Sequence, residues 1–294
     1  MTPAIQTIGI FDSGIGGFSV LRPFVAAYPA NYLYLGDNAR APYGDRPPEE
    51  IIAFVKEGAA FLLERGVDAL LLACNTASVL AGDALRREYP NLPLFDTTAA
   101  VCALVAKHHP RHLGLLATAA TVHSRCYEEK LLAQDPAMHM ESIACPNWVP
   151  LVEQNQFGTA HALHTVENTV RPWMQNPPEA VLLGCTHFPF LRREIEQLLP
   201  GVPLLDPAEE ILRAFLQTFV ADAAMATMRT AWKIGGQNER LKKEGTEKNS
   251  VPSQPAPASP SVHICTTGNA AAVHAVATRI FPHLPFSMET VHLS

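Results

Sequence analysis

Short, almost wholly apolar runs alternate with longer stretches of mixed character along most of the chain. Thr7–Phe11, Tyr32–Leu35, Ala69–Ala73, Leu113–Leu116, Val181–Leu183 and Val202–Leu205 carry few polar side chains. That is the pattern of strands buried on both faces. Between them, Pro48–Glu64, Ser78–Glu88, Thr121–Leu132, His161–Trp173 and Phe190–Leu199 repeat apolar residues at helical spacing. Near the C-terminal end, Val262–Thr266 predicts a last strand and Ala270–Phe281 a last helix. Strands and helices alternating on this scale predict an α/β protein with mainly parallel sheets flanked by helices.

The pattern also repeats. Ile8-Gly9-Ile10-Phe11-Asp12-Ser13 has a counterpart in Leu113-Gly114-Leu115-Leu116-Ala117-Thr118. Asp68-Ala69-Leu70-Leu71-Leu72-Ala73-Cys74-Asn75-Thr76 is echoed by Glu179-Ala180-Val181-Leu182-Leu183-Gly184-Cys185-Thr186-His187. One resemblance between two apolar strands could be chance, but two in the same order at similar spacing predict a pair of pseudo-symmetric halves. The expected domains are residues 1–98 with 209–294, and residues 99–208, with the active site in the cleft between them. Residues 235–261 break the pattern. They are charged and polar, then rich in Pro, Ser and Ala, and are expected to form a mobile surface insertion in the first domain.

Composition narrows the function. With 294 residues, 48% of them hydrophobic and 17% charged, the chain has enough apolar material for two domains. A net charge of −6 argues against direct binding to nucleic acid. No apolar run is long enough to span a bilayer, and Met1 to Thr7 carry no signal-peptide features, so a cytoplasmic location is expected. The six cysteines, at 74, 102, 126, 145, 185 and 265, form no C-x-x-C pair and are expected to be free thiols.

Ligands of doubly wound sheets bind beyond the carboxyl ends of the strands. Cys74 and Cys185 both end such strands. A thiol at the start of the following helix is expected to have a lowered pKa. Two thiols on opposite sides of one ligand can remove a proton from one face of a carbon and return one to the other, which is racemisation. Cys102, Cys126, Cys145 and Cys265 have no such context and are read as packing residues. Asp12, ending the first strand, and His187 are placed to modulate thiol protonation. The glycine loop Asp12–Gly17 fits neither a dinucleotide fingerprint nor a P-loop and reads as a tight turn. Cys185 and His187 lack a second ligand pair, so no metal site is expected.

Phe11-Asp12-Ser13-Gly14-Ile15-Gly16-Gly17, Pro42-Tyr43-Gly44, Ala73-Cys74-Asn75-Thr76-Ala77, Ala117-Thr118-Ala119-Ala120-Thr121 and Gly184-Cys185-Thr186-His187-Phe188-Pro189 together resemble the glutamate racemases of the aspartate/glutamate racemase superfamily. The resemblance covers nearly the whole chain outside 235–261. It implies interconversion of L- and D-glutamate without cofactor or metal, supplying D-glutamate for peptidoglycan. Cys74 and Cys185 match the two acid/bases, acting on D- and L-glutamate respectively. Asp12, His187 and Glu153 match assisting residues, though from sequence alone Glu153 could equally be an exposed helix carboxylate. Asp12, Ser13, Tyr43, Gly44, Asn75, Thr76, Thr118, Thr121, Thr186 and His187 match substrate-binding positions. No lysine sits in a context that would imply pyridoxal phosphate. Superfamily members acting on aspartate share this chemistry. Some glutamate racemases also form dimers, respond to a cell-wall precursor such as UDP-N-acetylmuramoyl-L-alanine, or bind DNA gyrase. Asn147-Trp148 after Cys145-Pro146 departs from the family's bulky apolar pair and is expected to alter the surface near the domain seam.

Overall fold

The computed structural model describes residues 5–220 and 260–293. The described residues form ten strands in two sheets, and every neighbouring pair runs parallel. The first sheet is built from β1 (Thr7–Asp12), β2 (Asn31–Gly36), β3 (Ala69–Leu72), β4 (Leu94–Asp96), β9 (Ser261–Thr266) and β10 (Phe286–Thr290), in the order β10-β9-β2-β1-β3-β4. The second contains β5 (His112–Ala117), β6 (His139–Ala144), β7 (Ala180–Gly184) and β8 (Leu204–Leu205), in the order β6-β5-β7-β8.

The internal echo is therefore topological. The order β2-β1-β3-β4 recurs as β6-β5-β7-β8, so β1 corresponds to β5 and β3 to β7. In each half the chain leaves the first strand to one side, then crosses to the other. This opens a switch point at the carboxyl ends of β1/β3 and of β5/β7.

The helices are α1 (Phe18–Ala27), α2 (Pro48–Glu64), α3 (Asn75–Glu88), α4 (Thr97–His108), α5 (Ala119–Ser124), α6 (Cys126–Gln134), α7 (Trp148–Glu153), α8 (Ala160–Val170), α9 (Arg192–Leu198), α10 (Ala208–Phe219) and α11 (Ala270–Ile280). Their starts follow local chemistry. Asp96 caps α4 by accepting the N–H groups of Thr98 and Ala99, Thr159 caps α8, and Asn269 caps α11. The helix expected over Thr121–Leu132 is instead two, because Arg125 adopts a left-handed conformation with φ 53° between α5 and α6. One apolar cluster runs from Ile8, Ile10 and Phe18 to Leu183 and Phe188, joining the two halves. Trp148 belongs to it. The ring is fully buried, 4.7 Å from that of Phe188, and its indole N–H donates to Thr169. The expectation that Asn147-Trp148 alters the surface is corrected for Trp148, since a large ring with a hydrogen-bonded N–H is better placed in the core, while Asn147 is exposed.

Of the segment 235–261, residues 235–259 lie outside the described residues, and Ser261 is the first residue of β9. No helix among the described residues is long and apolar enough to cross a membrane.

Candidate active site

Side chains from both switch points meet. Asp12 ends β1, fully buried, and its carboxylate accepts the Gly14 N–H at 3.0 Å and the Thr186 hydroxyl at 3.0 Å. Thr186 follows β7, so this second bond joins the two sheets. A second bridge lies at β3 and β5. The Thr76 hydroxyl, in the first turn of α3, is 2.8 Å from that of Thr118 and 3.1 Å from that of Thr121. The carboxyl ends of the two sheets therefore face each other, β1 against β7 and β3 against β5.

Cys74 directly precedes α3, and its thiol donates to the Ser13 hydroxyl over 3.6 Å. Its pKa is not lowered. Burial and the neighbouring Asp12 charge push the thiol up to about 12, against the opposing pull of the Ala77 N–H and Ser13. The expectation of a low-pKa thiol here is corrected: at a fully buried sulfur the loss of hydration outweighs the helix terminus. Asp12 is raised in the same way by burial, with partial relief from His187, Gly14 and Thr186.

Cys185 has different company. It is followed by a short 3-10 turn at Phe188–Leu191 rather than an α-helix. Its sulfur lies 3.6 Å from His187 Nδ1, and His187 Nε2 lies 2.7 Å from Glu153 Oε1. Burial opposes charge on this ring, but the hydrogen bonds to Cys185 and Glu153 outweigh it and hold the imidazole well above its ordinary 6.5. Glu153 also accepts the Ile15 N–H at 2.8 Å and the Asn38 amide at 3.0 Å. It is not an exposed helix carboxylate but a knot between the glycine loop, the segment after β2 and the histidine.

The loop glycines gain a reason beyond turning the chain. A Cβ on Gly14 would lie 1.9 Å from Glu153 Oε1, and one on Gly16 would lie 2.4 Å from both His187 Nδ1 and Thr186 Oγ1. Tyr43 is buried with its hydroxyl donated to Asp37. Gly44 presses on Thr118, where a Cβ would lie 2.9 Å from that side chain. The Asn75 amide donates to Tyr127, while its Oδ1 is buried with no hydrogen-bond partner among the described residues. Sequence reading passed over Asn38, which accepts from Thr266 while donating to Glu153. Its signal was positional: it closely follows the carboxyl end of β2, beside β1.

Two parallel sheets meeting over a pair of buried cysteines define a racemase fold, and the chain belongs to the Asp/Glu/Hydantoin racemase family, whose profile matches residues 18–215. Among the relatives it matches are glutamate racemases. The enzyme from Aquifex aeolicus is 38% identical over 80% of this chain and 91% of its own. A glutamate racemase isoform from Bacillus anthracis superposes with a TM-score of 0.77 at 27% identity, covering 98% of both chains. The Escherichia coli glutamate racemase, solved with L-glutamate and the activator UDP-MurNAc-Ala, superposes with a TM-score of 0.71 at 26% identity, covering 99% of both.

Proposed function

We propose that this enzyme interconverts L- and D-glutamate by a two-base mechanism, with Cys74 and Cys185 as the acid/base pair. The observation carrying this is the unequal surroundings of two equivalent cysteines. Cys74 sits beside Asp12 as a thiol, whereas the Cys185 sulfur lies 3.6 Å from Nδ1 of His187, whose other ring nitrogen is held by Glu153. The proposed reaction takes the α-proton at one sulfur and returns one from the other. Cys185 removes the α-proton of L-glutamate and Cys74 delivers one to the opposite face; the roles reverse for D-glutamate. Asp12 and His187 set the protonation of the two thiols, and Glu153 holds His187.

No Lys or Arg belongs to the site as described, so the substrate carboxylates fall to neutral donors. Ser13, Thr76, Thr118, Thr121 and Thr186, the Tyr43–Gly44 turn and the N-termini of α3 and α5 supply hydroxyls and N–H groups. The unpartnered Asn75 Oδ1 suits the substrate ammonium. The site lies between two domains, residues 1–98 with 209–294 and residues 99–208, each built on one of the two sheets. Supply of D-glutamate for peptidoglycan, in a cytosol that keeps six free cysteines reduced, completes the reading. Activation by a cell-wall precursor follows from the Escherichia coli relative.

The test is exchange of the Cα proton in deuterated water without added cofactor. Glutamate should exchange and racemise while aspartate does neither. Exchange of aspartate alone would refute the substrate; exchange that requires an added cofactor would refute the mechanism.

A further inference from the structure

The second sheet carries another chemical cluster at its opposite end. His112 opens β5, His139 opens β6, and the strand register sets them side by side. Glu141, two residues along β6, shares the face of His139. Glu141 Oε1 lies 3.4 Å from His112 Nε2 and 3.2 Å from His139 Nε2. The three ligand atoms lie within 4.8 Å of one another. In a tetrahedral site with bonds of about 2.0–2.1 Å, ligand atoms stand roughly 3.3 Å apart. The cluster is near that geometry before any ion binds.

The surroundings fit as well. The other oxygen of Glu141 accepts the Trp173 indole N–H at 2.8 Å, an outer hydrogen bond of the kind that fixes a metal-bound carboxylate. Trp173 reaches it by crossing Gly114, where a Cβ would fall 2.8 Å from the ring. His112 Nε2 is buried without a hydrogen-bond partner among the described residues, while His139 is 64% exposed and leaves a way in.

His263, Cys265 and Glu289, across β9 and β10, form a similar group. There the Cys265 thiol already donates to Glu289, and Arg65 stands 3.9 Å from the same carboxylate. Glu141 has no Lys or Arg partner among the described residues.

We propose that His112, His139 and Glu141 form a binding site for a divalent ion of the zinc class, with water as the fourth ligand. Two imidazoles and one carboxylate select such ions over magnesium or calcium. The site lies a strand length, roughly 20 Å, from Thr118 and the catalytic end of the sheet, so it ties β5 to the edge strand β6 and takes no part in racemisation.

Co²⁺ tests this, because its spectrum separates nitrogen and oxygen ligands from the thiolates of Cys74 and Cys185. Chelator-treated protein titrated with Co²⁺ should take up one equivalent giving visible d–d bands without a sulfur-to-metal band. Zn²⁺ should displace it. His139→Ala should lose that equivalent while keeping its circular dichroism and racemase activity. Trp173→Phe should weaken it about 10–100-fold. Identical spectra and stoichiometry for wild type and His139→Ala would overturn the proposal, as would uptake showing only a sulfur-to-metal band.

Discussion

Replacing Glu153 by Gln tests the proposed active site at its most connected point. The wild-type carboxylate accepts from Ile15 at 2.8 Å, from Asn38 at 3.0 Å and from His187 at 2.7 Å. The single oxygen of a carboxamide accepts two of these at most, and its NH2 group turns a donor towards a donor. Bonds to a charged acceptor contribute about 1.5–3 kcal/mol each. With Glu153 21% exposed and the charge partly screened, the expected loss is about 2–3 kcal/mol, roughly 4–8 °C in Tm.

The diagnostic effect is on His187. Its folded pKa lies above 6.5, so the stability it contributes is complete below the unfolded value and lost as pH rises through the folded one. Without the Glu153 anion the folded value must fall, and the pH window narrows from above. Racemisation at about pH 8 should drop about 100-fold, within the range of acid/base contributions, and the deficit should shrink as the pH is lowered. Titration of ¹⁵N-labelled histidine by NMR, with racemisation followed by circular dichroism in both directions, reads both quantities. An unchanged His187 titration, or parallel pH profiles for variant and wild type, would refute the reasoning.

In Cys74→Ser, α-deuterated D-glutamate should show a full primary isotope effect and α-deuterated L-glutamate a reduced one, with Cys185→Ser reversed; matching responses from both variants would sink the face assignment. Gly16→Ala should fold but lose about 100-fold in kcat, because the new methyl displaces His187 and Thr186; wild-type kcat would show that the loop can yield. Phe215 packs within 5.0–5.4 Å of the rings of Phe24, Tyr28, Phe95 and Phe219. Phe215→Ala should cost about 3–5 kcal/mol and lower Tm by at least about 6 °C by calorimetry, with kcat of the folded enzyme unchanged.

The strands buried on both faces were legible because their apolar runs admit few other readings. Three others were not. β4 has only three residues, while the edge strands β6 and β10 alternate partly buried and exposed side chains such as His139, Glu141 and Glu289. Helix α8 ends at Val170 and passes into a 3-10 turn before Trp173, a boundary that spacing alone does not mark. Cys74, Cys185 and Asp12 stood out through their positions at strand ends. What those residues touch did not, since Glu153 meets Ile15 138 residues away and Asn38 115 away. Such contacts come from sheet order, and no local periodicity encodes them.

The same limit explains why the pKa expectation failed for Cys74 and how the proposed chemistry benefits. The sequence echo treats the cysteines as equivalent, and the strand topology does too. The elements that follow break the symmetry. On the β3 side an α-helix begins directly after Cys74, yet burial and the carboxylate of Asp12 keep the sulfur protonated. On the β7 side no α-helix starts at the cysteine, and the positive charge comes from His187, held by Glu153 from α7. Two equal thiols in one site would both be protonated or would compete for one proton. A reversible two-base reaction instead needs one of each form at rest. In this chain the two sulfurs have different neighbours, and those neighbours are tied across the halves, Asp12 by the Thr186 hydroxyl and Glu153 by the Ile15 N–H, so the surroundings of both sulfurs depend on the two halves staying together.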